Sequence, residues 1–212
     1  MDIAIPLFDG ITALDAIGPY EVLGRVPDAR IVFVGHQLGA VRTETRALGM
    51  SVDARLEELP APDVVVVPGG PGTGALLDDE RLLAWLRGAH ASTRFTASVC
   101  TGSLLLAAAG LLDGVEATTH WAARDTLGQL GALPVAERVV QRDRIITAAG
   151  VSAGIDMALG LAAQLAGDQV ARAIQLIIEY DPQPPYDSGS PEKAGEEIQR
   201  LVLSPADEGE RR

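Results

Sequence analysis

Five short apolar runs, at residues 3–8, 30–35, 63–67, 94–99 and 144–148, alternate with longer segments of helical periodicity, and this alternation is what most narrows the folds open to the chain. Runs such as Val64-Val65-Val66-Val67 are continuous rather than alternating, as strands are when both faces of their sheet are covered. The helical segments fall at about 13–26, 79–91, 102–112, 120–130, 153–166 and 168–180. Strand and helix in turn predict a mostly parallel sheet with right-handed crossovers and helices on both faces. This is a single-domain α/β sandwich of flavodoxin-like or Rossmann-like type. Residues 38–58, with Thr43, Thr45, Met50 and Val52 among turn formers, read as a β-hairpin-like excursion.

With 212 residues, 47% of them hydrophobic, one domain suffices to bury a core, and no linker or repeat interrupts residues 1–180. After Tyr180 the chain turns polar and proline-rich up to Pro191. The expected organisation is therefore an α/β domain over 1–191, with 192–212 a C-terminal helix and frayed tail of the same domain. A formal charge of −12 disfavours nucleic acid and anionic membranes as partners. The single cysteine and three histidines, none at zinc-ligand spacing, leave no metal site, and no cofactor is expected. Met1-Asp2-Ile3 is not a basic leader, and Leu104–Leu112 is too short an apolar stretch to span a bilayer, so the expected location is the cytoplasm.

Chemistry points first to the cysteine. In Ser98-Val99-Cys100-Thr101-Gly102-Ser103 a predicted strand runs into Cys100 and a helix begins within three residues, the form of a nucleophile elbow with Ser98 and Gly102 as its small flanks. Such a turn places the side chain at the carboxyl end of the sheet. There a helix N-terminus would lower the thiol pKa from about 8.5 into the range of about 3.5–7.5. The alternative is a core cysteine without reactivity.

A second feature is the turn Pro68-Gly69-Gly70-Pro71-Gly72 after the third strand. Gly70-x-Gly72-x-x-Ala75 loosely fits a dinucleotide pattern, but it is not in the first βα unit and the next strand ends without an acidic residue. The remaining readings are an oxyanion hole formed by the amides of Gly69 and Gly70, or merely a tight turn. Asp15, where the chain leaves the first strand, is either a helix cap or a proton donor facing Cys100. In the second case burial and a nearby thiolate would favour its protonated form, and the two groups would titrate as a pair. His120 is a base, a substrate contact or a structural partner of Trp121. Ser152 is the expected cap of a small-residue helix whose neutral meaning is close helix packing.

Gly69-Gly70, Ser98-Val99-Cys100-Thr101-Gly102-Ser103, Ala117-Thr118-Thr119-His120-Trp121 and Ala153-Gly154-Ile155-Asp156, in that order, resemble the ThiJ/PfpI superfamily, the cysteine branch of the class I glutamine-amidotransferase-like folds. The resemblance runs from about residue 2 to 191. It implies Cys100 as nucleophile, Asp15 as its carboxyl partner and Thr101 beside the thiol. Gly69, Gly70, His120 and Val151 follow as oxyanion or substrate-binding residues. Thr101 in place of a histidine, and Asp15 in place of a glutamate, set the chain apart from the superfamily's proteases and several of its glyoxal-processing members. Leu14-Asp15, Gly18-Pro19 and the Glu179-Tyr180 to Ser190-Pro191 tail resemble its isonitrile-hydrating branch, where Gly-Gly stands in place of Ala148-Ala149. That implies conversion of an isonitrile to an N-substituted formamide through a covalent thioimidate. The alternatives are a glyoxalase or deglycase acting on small dicarbonyls and a non-enzymatic cysteine redox sensor. The resemblance also implies a homodimer. Pro184-Pro185-Tyr186 reads as a segment that lines the site, either of its own subunit or of the neighbouring one. Regulators with a similar domain add a helix-turn-helix module for which this chain has no room.

Overall fold

A computed structural model describes residues 1–204. The chain divides into two units, Met1–Glu179 and Tyr180–Arg212. In the first, β1 (Asp2–Pro6) leads through α1 (Ala13–Leu23) to β2 (Arg30–Gly35), followed by a hairpin of β3 (Gly39–Arg42) and β4 (Gly49–Val52). Then come β5 (Ala54–Arg55), β6 (Val64–Val67), α2 (Glu80–Ser92), β7 (Phe95–Val99) and α3 (Gly102–Ala108). The unit closes with β8 (Glu116–Ala117), α4 (Arg124–Gln129), β9 (Leu133–Pro134), β10 (Val139–Arg142), β11 (Ile145–Ala148), α5 (Ala153–Ala166) and α6 (Asp168–Ile177). In the second unit, α7 (Pro191–Leu203) is capped by the Ser190 hydroxyl, which accepts from the Lys193 amide, and is kinked at Gly195. The frayed tail expected at the C-terminus falls on residues 205–212, outside the described residues.

The central sheet has the order β10-β11-β7-β6-β1-β2-β5, and every neighbouring pair is parallel except β10–β11. The five expected strands are its five central members, and the hairpin pairs Gly39 with Val52 and Arg42 with Gly49. The sequence reading overlooked β10, whose turn back into β11 is made by Asp143 at φ 53°. The segment expected as a helix over 120–130 is a tight turn at Trp121–Ala123 followed by α4.

All four valines of β6 are buried, as expected for a strand covered on both faces. α1 packs on α5 and α5 on α6, while α2 and α4 both pack on α3. The small-residue reading of α5 holds. A Cβ on Gly154 would stand 3.0 Å from both γ-carbons of Val99, and one on Gly18 would stand 3.1 Å from Ile155. Ser152 occupies the N-cap position of α5 but makes no capping bond with its side chain. Among the described residues no helix is long and apolar enough to cross a membrane.

The chain leaves β1 toward β2 on one side and β6 on the other, so the carboxyl ends of β1, β6 and β7 border the crevice where such sheets hold ligands. The Gly154 contact ties that crevice to helix packing. Gly154→Val should destabilise the fold by about 1–3 kcal/mol through overpacking, read as a lower urea midpoint with unchanged slope.

Candidate active site

Cys100 follows β7 directly and holds φ at 57°, a left-handed conformation that costs a non-glycine residue about 1–3 kcal/mol. Hydrogen bonds pin it in place. Its N–H reaches the carbonyls of Ala148 at 3.0 Å and Ala149 at 3.1 Å, and its carbonyl accepts from Thr119 Oγ1 at 3.0 Å and Ser103 Oγ at 3.2 Å. The turn is possible only because backbones pass close together. A Cβ on Gly102 would sit 2.1 Å from the Val67 carbonyl oxygen, and one on Gly69 would sit 2.5 Å from the Thr101 amide. The elbow expected from the sequence is therefore present.

Asp15 lies in the first turn of α1 and is fully buried. It does not cap the helix: the N-cap is Thr12, and Asp15 Oδ2 instead accepts from the Gly69 amide at 3.0 Å across the crevice. Its Oδ1 is buried with no N–H or O–H donor, and the Cys100 thiol is the carboxyl group's side-chain partner. Burial pushes the Asp15 carboxyl up from its ordinary 3.8 to about 7; the Gly69 amide and the thiol oppose that shift, and the charge of Glu44 adds to it.

The expectation of a low-pKa thiolate is overturned. Cys100 is 5% exposed, and its thiol is pushed up to about 12, first by burial and then by the adjacent Asp15 charge. The amides of Thr101 and Val151 face the sulfur and favour its ionised form, but they do not offset the desolvation. The helix behind the elbow is also short, only seven residues. Burial therefore disfavours charge on both members of the pair, and ionising either one raises the cost of ionising the other.

The oxyanion role expected for Gly69 and Gly70 is also corrected. Gly69 donates to Asp15, and Gly70 donates to Thr101 Oγ1 at 2.9 Å, so both amides are engaged inside the site. Thr101 Oγ1 also meets Thr73 Oγ1 at 3.0 Å. His120 Nδ1 accepts from the Ala122 amide at 3.3 Å, which leaves the ring proton on Nε2. Burial, with the charge of Arg124 behind it, lowers the His120 pKa and keeps the ring neutral. It can donate a hydrogen bond but is poorly placed to act as a base. Gly150 makes room for it, since a Cβ there would stand 2.9 Å from His120 Cδ2.

Thr12, Glu44, Gly70, Pro71, Cys100, Thr101, His120 and Val151 line a cavity of about 350 Å³, large enough for a small organic molecule. Val151 enters it at φ 24°, a strained conformation for a β-branched residue. Trp121 is not among the lining residues, and most of the lining surface is apolar. Sequence reasoning missed Thr12 and Glu44. Glu44 sits in an ordinary polar turn, Thr43-Glu44-Thr45-Arg46, that carries no motif. Among the described residues no three His, Cys, Asp or Glu side chains converge as a metal site would require.

A lone cysteine on an elbow at the rim of a mostly parallel sheet, with a buried acid beside it, stands where open α/β sheets hold their ligands. The chain belongs to the DJ-1/PfpI family, whose sequence profile matches residues 1–164. It is 46% identical over 194 residues to isonitrile hydratase of Pseudomonas putida, covering 92% of this chain and 85% of the relative. Its fold matches the crystal structure of a ThiJ/PfpI family protein from Pseudomonas syringae with a TM-score of 0.92 at 37% identity, covering 95% of this chain and 84% of that one. Drosophila melanogaster DJ-1beta shares the fold, with a TM-score of 0.76 at 23% identity, over 84% of this chain and 97% of its own.

Two outcomes follow from the buried pair. Ultraviolet thiolate absorbance, with Cys100→Ala as blank, should rise only in strongly alkaline solution; a midpoint below about 8.5, the ordinary thiol value, would contradict the burial argument. Folded Asp15 keeps its proton up to about pH 7. The unfolded chain releases it near 3.8. The stability Asp15 contributes is thus complete below its unfolded pKa and is lost as pH rises through the folded value, at about 1.4 kcal/mol per pH unit. Asp15→Asn should flatten that decline in urea unfolding measured across the interval.

Proposed function

We propose that this enzyme hydrates an isonitrile to an N-substituted formamide, with Cys100 as nucleophile and Asp15 as the group that moves the proton. The observation that carries the reading is the Asp15–Cys100 pair itself: a buried carboxyl and a buried thiol adjoin, and burial favours the protonated form of each. A terminal isonitrile carbon accepts a sulfur nucleophile without needing a cation to activate it. The overall similarity to the P. putida enzyme supports the same substrate class.

The Asp15 carboxylate takes the proton from Sγ as sulfur bonds to the terminal carbon. The developing charge resides on that carbon, and protonated Asp15 delivers the same proton to it, giving the thioimidate R–N=CH–S–Cys100. Water then adds to the thioimidate carbon, and Asp15 takes one of its protons and passes it to the nitrogen. In the collapse of the tetrahedral species Asp15 takes the hydroxyl proton as the formamide carbonyl forms and returns it to sulfur as the C–S bond breaks. A carboxyl with a pKa of about 7 can both take and give a proton at each stage. The neutral Nε2–H of His120, in the cavity wall, is a donor for the substrate nitrogen or the tetrahedral oxygen.

A redox-sensor role is disfavoured by the burial of Cys100, which is 5% exposed and so poorly reached by an oxidant. The proposed quaternary state is a homodimer, consistent with the exposure of Leu176 and Ile177 on α6. Light scattering should then give twice the chain mass of 22.1 kDa.

The deciding assay is a panel of aliphatic and aromatic isonitriles, with methylglyoxal as comparator. Formamide should form with the wild type and not with Cys100→Ala or Cys100→Ser. Asp15→Asn should lose about 10²–10⁴-fold in kcat/KM, the usual worth of acid–base assistance. Consumption of methylglyoxal without isonitrile turnover would overturn the assignment in favour of a glyoxalase.

A further inference from the structure

Glu44 is the one carboxylate among the residues lining the Cys100 cavity, and no Lys or Arg lines it. Its position is built rather than incidental. Its amide donates to the Ile11 carbonyl at 3.0 Å, and its Oε2 accepts from Thr12 Oγ1 at 2.8 Å, so both its backbone and its head group are tied to the loop after β1. The turn that carries it is closed by the Thr43 amide on Leu48 O at 3.1 Å and by the Arg46 amide on Thr43 O at 2.8 Å, and Thr43 is itself buried. The field of Glu44 reaches Asp15. Arg124, whose charge acts on His120, is not part of the lining.

We propose that Glu44 makes the cavity mouth a charge filter, so that the substrates admitted to Cys100 are neutral or cationic and those bearing a carboxylate or phosphate are turned away. This names the substrate class of the site and rests on the isonitrile reading only for the reacting group. The physical basis is simple. An anionic substituent entering a small cavity must approach Glu44 with no cation in the wall to offset it, whereas an ammonium gains from the same charge. Because Glu44 is exposed, the effect is moderate and salt-sensitive, about tenfold in rate at low ionic strength and shrinking as salt rises.

The test uses two probes of Cys100 that differ mainly in charge, a cationic trimethylammonium-ethyl and an anionic sulfonato-ethyl methanethiosulfonate. The ratio of their modification rates cancels any change in the reactivity of the sulfur itself. In the wild type the cationic reagent should react faster, and the preference should fall on adding salt. Glu44→Gln should reduce the ratio about tenfold, Glu44→Asp should retain most of it, and Glu44→Lys should invert it. The kcat/KM values for an amine-bearing and a carboxylate-bearing isonitrile of equal size should follow the same order. A wild-type ratio that is insensitive to salt and within twofold of the Glu44→Gln ratio overturns the filter. If no isonitrile is hydrated but the probe ratio still responds to Glu44, the isonitrile reading fails and the filter stands.

Discussion

The arrangement around Cys100 depends on a carboxyl group buried away from bulk solvent. Asp15 has a single backbone N–H and a thiol as partners, and no cation. A carboxylate so poorly compensated prefers its proton, and a thiol beside it prefers its own. The two groups share a limited capacity for charge, which suits the proposed reaction, in which a proton passes through Asp15 at each step. The cost is borne by the fold, since the core must hold a group that is uncomfortable when ionised.

Backbone proximity makes this pairing possible. Asp15 leaves the first strand of the sheet, Gly69 follows β6 and Cys100 follows β7, and these are adjacent members of one parallel array. Gly69 and Gly102 remove the side chains that would otherwise hold the three segments apart. The amides freed by that approach are used within the site, on Asp15 and Thr101, rather than presented to the cavity. The donors that face the sulfur are the amides of Thr101 and Val151, the second of which is delivered by a strained residue just ahead of α5.

Much of this was legible in the sequence. The continuous valine run and the Ser98-x-Cys100-x-Gly102 spacing identified the sheet and the elbow, because each is fixed by short-range pattern, whereas the residues alone left Asp15 between helix cap and proton donor and only the family resemblance paired it with Cys100. What escaped was set by long-range packing. Whether a thiol at an elbow is acidic depends on how deeply the surrounding loops bury it, and no local spacing records that depth. Glu44 reaches the cavity only because the hairpin folds over the loop after β1, a contact between residues some thirty apart. Strand β10 was missed because the Asp143 turn that announces it lacks the glycine that usually marks such hairpins.

The hairpin of β3 and β4 pairs with itself and is not a member of the seven-stranded sheet. In the proposed reading, reactivity and discrimination therefore reside on separate stretches of polypeptide, one embedded in the rigid array and the other in a hairpin appendage held to the loop after β1 by the Gly10 amide on Arg42 O and the Glu44 amide on Ile11 O. A replacement in the appendage can retune which molecules are welcomed while leaving the nucleophile's geometry intact. An enzyme arranged in this way offers a handle for altering preference that does not put its folding at risk.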